Sequence, residues 1–110
     1  MPYIYEVSFD IAPEQMDKLD VGSSMARVLG YLRALLPSEH GFVTSQAMYS
    51  IDDPERTRLV LRSEWGSWEA LVRHRESELL ETKVLEEFDP HVPPDAITTR
   101  VYAEVGPKPY

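Results

Sequence analysis

The stretch SEWGSWEALVRH, Ser63 to His74, decides how this chain is read. It closes a run that alternates strictly: Leu59, Leu61, Ser63 and Trp65 fall on one side of Thr57–Trp65, and Arg58, Val60, Arg62 and Glu64 on the other. A period of two with β-branched and aromatic residues reads as a strand. Ser67 then stands where a side-chain oxygen can cap the first free N–H groups of a helix. The residues that follow, WEALVRH, place Leu71 and His74 three apart on one helical face. A strand ends and a helix begins within three residues.

Working back towards the N-terminus, Phe42–Ile51 reads as another strand. Asp52-Asp53-Pro54-Glu55 joins it to Thr57–Trp65, with Asp opening the turn and Pro in second place. Before that, apolar residues recur at helical spacing: Met16, Leu19, Met25, Val28, Leu29, Leu32, Leu35 and Leu36. Pro13 suits a first helical turn, where its missing N–H costs nothing. Asp20-Val-Gly-Ser-Ser24 interrupts the pattern, and Ser24 is a candidate cap for a restart. Pro37 and Gly41 end the helical region. The first strand is Tyr3–Phe9, with Tyr3, Tyr5, Val7 and Phe9 on one face.

Towards the C-terminus, Leu80, Val84 and Phe88 form a stripe that is out of phase with Leu71 and His74. A kink or restart near Arg75–Ser77 is therefore expected. The acidic run Glu76–Asp89 reads as a solvated helix face. Asp89–Asp95 reads as a loop, Ile97–Val105 as the last strand and GPKPY as an exposed tail. The order β-α-β-β-α-β predicts an α+β, ferredoxin-like fold: a four-stranded antiparallel sheet with its helices on one face. Glu6, Ser8, Arg58, Arg62, Glu64, Arg100, Tyr102 and Glu104 collect on the other face, three Glu against three Arg. That face is either solvated or laid against a second copy across a twofold axis.

With 110 residues, no repeats and no linker, residues 1–110 form one domain. A net charge of −8 disfavours nucleic acid and anionic membranes as partners, since both demand a positive patch. The chain has no cysteine, which excludes disulfides and thiolate chemistry. No run approaches the ~20 apolar residues of a membrane span. The first residues lack a basic start and a long apolar run, so a secretory signal is not expected and cytoplasm is the expected location. His40, His74 and His91 have no metal-ligand spacing. No nucleophile elbow is present, so nothing supports a hydrolase.

Trp65-x-Ser67-x-Glu69-Ala70-Leu71-x-x-His74 resembles the signature of the antibiotic biosynthesis monooxygenase family, dimeric α+β barrel proteins. Ser38-Glu39-His40-Gly41-Phe42 stands at the family's turn before strand two, and Asp53-Pro54-Glu55-Arg56 at its hairpin loop; the resemblance spans about residues 3 to 105. It implies a homodimer with facing sheets and a pocket between helices and sheet. It also implies, for some relatives, oxidation of an electron-rich aromatic substrate by O₂ with no metal or flavin cofactor. The leading expectation is thus a cofactor-independent monooxygenase-like protein acting on a small aromatic or polyketide-like metabolite. His74 and Trp65 are the candidate catalytic residues, and Tyr49, Tyr5 and Tyr31 the candidate substrate-binding residues. The alternative is a non-catalytic small-molecule-binding or stress-associated barrel, in which the corner only folds the chain. The first reading of Trp65 by itself is a core aromatic closing the sheet, and of His74 a buried or boundary histidine holding the kink through a backbone hydrogen bond. One departure from the family matters. The haem-degrading branch and the studied polyketide oxidases use an asparagine, and this chain has none. Haem degradation is therefore not expected, and other donors such as Tyr49, Arg62 or His74 would have to serve.

Overall fold

The computed structural model describes residues 2–16, 20–88, 92 and 94–105. Its elements run β1 (Tyr3–Ile11), α1 (Pro13–Met16), α2 (Val21–Leu35), β2 (Phe42–Tyr49), β3 (Thr57–Trp65), α3 (Trp68–Ser77), α4 (Leu79–Phe88) and β4 (Thr98–Ala103). The four strands form one antiparallel sheet in the order β2-β3-β1-β4. This is the predicted α+β, ferredoxin-like arrangement. Strands β1 and β3 lie in the centre because they carry the most continuous apolar faces: Tyr5, Val7, Phe9 and Ile11 on one, Leu59, Leu61 and Trp65 on the other, all buried. Fully burying a side chain of this size contributes roughly 1.5–3 kcal/mol, so these two strands anchor the fold.

The helices close over that face. α2 brings Met25, Val28 and Leu32, and Leu36 follows in the short 3₁₀ turn at its end. Leu35, counted by spacing among the apolar helical positions, is exposed. The expected break is present, but its cap is Asp20 rather than Ser24. The Asp20 carboxylate accepts from the Ser23 backbone N–H at 3.1 Å and from its hydroxyl at 2.7 Å. Those bonds to the charged form hold the Asp20 carboxyl below its ordinary value. Ser24 is the fourth residue of the helix and is buried. The side chain expected at Met16 and all of Leu19 lie outside the described residues, as do the tail and most of the 89–93 loop.

The corner at Ser67 forms as the sequence predicts. Ser67 Oγ accepts from the Ala70 N–H at 3.2 Å, and α3 begins at Trp68. Gly41 locks this corner to the start of β2. Its carbonyl accepts from the Gly66 N–H at 2.8 Å. Its φ is +86°, and a Cβ there would stand 2.7 Å from the Ala70 Cβ. Only glycine fits both the backbone angle and the space. At the hairpin, Asp53 takes both turn roles, accepting from the Glu55 N–H with its side chain and from the Arg56 N–H with its carbonyl.

The second phase shift is resolved at Glu78, which adopts a left-handed φ of 54° between α3 and α4. A non-glycine residue in that conformation costs roughly 1–2 kcal/mol. Burial of Leu80, Val84 and Phe88 offsets it: the restart turns α4 so that this stripe meets the sheet, with the Phe88 ring edge-on to Phe9 at 5.0 Å. Strand β2 ends at Tyr49 and β4 spans Thr98–Ala103, each shorter than predicted. Both are edge strands; past their ends the Ser50 N–H still donates to the Arg58 carbonyl at 2.9 Å and the Glu104 N–H to the Pro2 carbonyl at 3.0 Å.

Candidate functional site

Three of the predicted residues meet in one place. Tyr5 on β1, Trp65 at the end of β3 and His74 on α3 pack ring against ring. The Trp65 and His74 centroids are 4.8 Å apart, and Tyr5 stands edge-on to His74 at 5.5 Å. The register explains the meeting. Tyr3 lies opposite Trp65 and Tyr5 opposite Ser63, so Tyr5 and Trp65 share the helix-facing side of adjacent strands, and the capped α3 lowers His74 between them. Trp65 is 1% exposed and His74 5%. The Trp65 indole N–H donates to Ser63 Oγ at 2.9 Å, also buried. Phe42 packs edge-on to the far side of the indole.

Burial fixes the protonation of His74. Desolvation disfavours imidazolium and pulls its pKa down to about 4 from the ordinary 6.5. At neutral pH it is a neutral ring, and Nε2 is buried with no hydrogen-bond partner. The kink is held by other atoms: Ser77 Oγ donates to the His74 carbonyl at 2.6 Å.

The other two predicted residues lie elsewhere. Tyr49 pairs with Leu59 while Phe42 pairs with Trp65; six intervening steps at ~3.3 Å put it about 20 Å along the sheet. It is 62% exposed. Tyr31 is half exposed on α2, with the Lys83 ammonium 4.8 Å above its ring centroid.

A groove of about 380 Å³ opens beside the aromatic trio. It lies between α4 and the edge strand β4, with β1 at its base. Its walls are Tyr5, Arg75, Glu78, Glu81, Leu85, Ile97 and Thr99. Small-ligand sites run roughly 300–1,000 Å³, so it is large enough for a small aromatic molecule. Trp65 and His74 are not among its walls; they sit behind Tyr5. The wall residue that sequence reasoning missed is Glu81. The run Glu76–Asp89 was expected to be a solvated face, yet Glu81 is half-buried and accepts a hydrogen bond from the Tyr5 hydroxyl. Its second oxygen, Oε2, is buried without a partner. Desolvation raises its pKa above the ordinary value. A signal existed within α4 alone: Glu81 follows Leu80 directly and precedes Val84 by three residues, at the margin of the buried stripe. The surrounding acidic residues hid it.

Among the described residues, no group of three or more His, Cys, Asp or Glu could hold a metal ion, and no helix is long and apolar enough to cross a membrane. Fold and site together define a ferredoxin-like α+β domain with an aromatic cluster behind a groove at one sheet edge. Solved structures with this fold include proteins named as antibiotic biosynthesis monooxygenases, in agreement with the Trp65-to-His74 resemblance. One from Bacillus cereus is 15% identical, with a TM-score of 0.66 over 99% of this chain and 98% of its own. SnoaB, a cofactor-independent oxygenase from Streptomyces nogalater, is 14% identical, with a TM-score of 0.59 over 99% of this chain and 98% of its own. The de novo designed protein Foldit4 also matches, at 12% identity and a TM-score of 0.60, over 94% of this chain and 99% of its own. At these identities the likeness is one of fold, and a fold alone does not specify a reaction. No protein-family model and no curated protein matches the sequence.

Proposed function

We propose that this chain is a cofactor-independent monooxygenase-like protein that oxidises a small aromatic or polyketide-like molecule held against Tyr5. The observation that carries the reading is the groove itself: a space of about 380 Å³ whose base is an aromatic ring backed by the Trp65–His74 stack. In this reading Trp65 and His74 are positioning residues that fix the Tyr5 ring, and neutral His74 keeps charge away from it. The likeness to SnoaB supports the reaction type. The chemistry balances without an external reductant. A substrate methylene flanked by aromatic rings loses a proton, and its anion passes one electron to O₂. The resulting radical pair combines to a peroxide, which regains a proton and loses water to leave a carbonyl. In sum, CH₂ and O₂ give C=O and H₂O.

Oxygen consumption with a panel of anthrone-type and phenolic compounds tests this. One O₂ per substrate oxidised is expected, with no added flavin, metal or reductant. Binding without any oxygen uptake would favour the second reading, a non-catalytic binding protein. The sealing of Trp65 and His74 inside the core is the observation that speaks for that alternative.

The reading includes a homodimer. On the open sheet face Met48 and Tyr102 are exposed beside half-buried Ile4 and Val60. Around them Arg62 Nε lies 3.9 Å from Glu6 Oε1, and the Tyr102 hydroxyl donates to Glu6 at 3.1 Å. Such a mixed face can pair with its own copy. Light scattering should give a dimer, and Arg62→Glu should shift it towards monomer, because dimerisation would then bury Glu6 and the new carboxylate without a cation. An undiminished dimer would place the interface elsewhere.

A further inference from the structure

The structure assigns Glu81 as the group that takes the proton from a ligand in the groove between α4 and β4, and so selects ligands that carry an acidic O–H or C–H: phenols, enols and their tautomers. The assignment rests on the proposed function only for its redox step; the binding it describes stands or falls separately.

Three observations lead to it. Glu81 is a wall of the groove. One of its oxygens is fixed by the Tyr5 hydroxyl, which orients the carboxylate from the groove's base. The other, Oε2, is out of water with no donor. The residue's own backbone N–H favours the charged carboxylate, but Oε2 has lost its hydration without a hydrogen bond in return, so a donor from a ligand is favourable there. The terminal torsion of a glutamate is soft and roughly twofold, so a small rotation presents that oxygen to the groove while the Tyr5 bond is kept. Leu85 and Ile97 supply apolar wall on either side, and Thr99 is uncharged. The carboxylate's partial desolvation also makes it a stronger base than an exposed one.

The proton transfer balances simply. The ligand O–H or C–H bond breaks, its electron pair stays on the ligand as phenolate, enolate or carbanion, and the proton goes to Glu81 Oε2. Among the described residues, few other titratable groups surround Glu81. Tyr5 donates from β1, with His74 behind it. Arg75 and Glu78 flank it from the α3–α4 junction, and β4 contributes none at the groove. Arg75 is the wall cation available to balance the anion that forms.

The test compares naphthol with its methyl ether, which has the same rings and no acidic proton. Fluorescence titration of wild-type protein should show naphthol bound roughly tenfold or more tightly. Glu81→Gln, nearly isosteric, should bring the two within about threefold through loss of naphthol affinity. Wild-type naphthol affinity should also weaken as acid protonates Glu81, and the Gln variant should be flat over the same range. Tyr5→Phe is the second variant: it keeps the preference for naphthol but moves that pH profile upward, since the carboxylate has lost a stabilising donor. A wild type that binds neither probe, or binds both equally, overturns the assignment, as does a Glu81→Gln variant that keeps the preference. Absence of oxygen uptake alongside an intact, Glu81-dependent preference would end the oxygenase reading and leave this one standing.

Discussion

Trp65→Ala is expected to lower stability by about 3–5 kcal/mol. The indole is 1% exposed and touches three partners at once: the His74 ring, the Phe42 ring and the Ser63 hydroxyl. Alanine empties the corner and leaves buried Ser63 Oγ without its donor. For a domain of this size, total stability is roughly 5–15 kcal/mol, so the variant should unfold on the order of 15 °C lower. Trp65→Phe separates the contributions. It keeps a ring against Phe42 and loses the N–H, so its cost should be clearly smaller. Urea denaturation of both variants gives the comparison. A loss below about 1 kcal/mol for Trp65→Ala would mean that the corner is not part of the core.

Acid should destabilise the fold through His74. The unfolded chain titrates this ring at its ordinary 6.5, whereas the fold holds it down at about 4. Between those values the unfolded state takes up a proton that the folded state refuses. Stability therefore falls as pH drops from about 6.5 towards 4 and levels off below, by about 3 kcal/mol in all. His74→Phe should lack this component. The difference in unfolding free energy between wild type and variant, measured across that range, isolates it from the other carboxylates and histidines. Glu81 works in the opposite sense: its raised value contributes stability that is complete at low pH and lost as pH rises through that value. Being common to both proteins, it drops out of the difference. A flat difference curve would mean that His74 is solvated.

The fold was legible because its signals are local and redundant. Thr57–Trp65 alternates without exception, Ser67 caps on schedule, and the phase slip between Leu71 and Leu80 demands a kink or a restart, which the left-handed turn at Glu78 supplies. The cap of α2 was misassigned because Asp20 and Ser24 are both good cap residues, and only the hydrogen bonds to Ser23 choose between them. The site was legible in part. Tyr5, Trp65 and His74 converge as a face argument predicts, since alternation and capping set where each points. Tyr49 and Tyr31 do not join them: an aromatic residue on the correct face says nothing about distance along a strand or around a helix. Glu81 was hidden for a different reason. In a run of acidic residues, period and composition cannot single out the one whose hydroxyl partner lies 76 positions away on β1.

The ligand is expected in the groove beside Tyr5 and Glu81 rather than on the open sheet face. Backbone amide shifts in an NMR titration with naphthol test it most directly. The expected result is a set of perturbations centred on Tyr5, Glu81, Leu85, Ile97 and Thr99, clearly smaller in Glu81→Gln at the same probe concentration. Perturbations centred instead on Ile4, Thr44, Gln46 and Glu64, which surround the small hollow of the open sheet face, would contradict it.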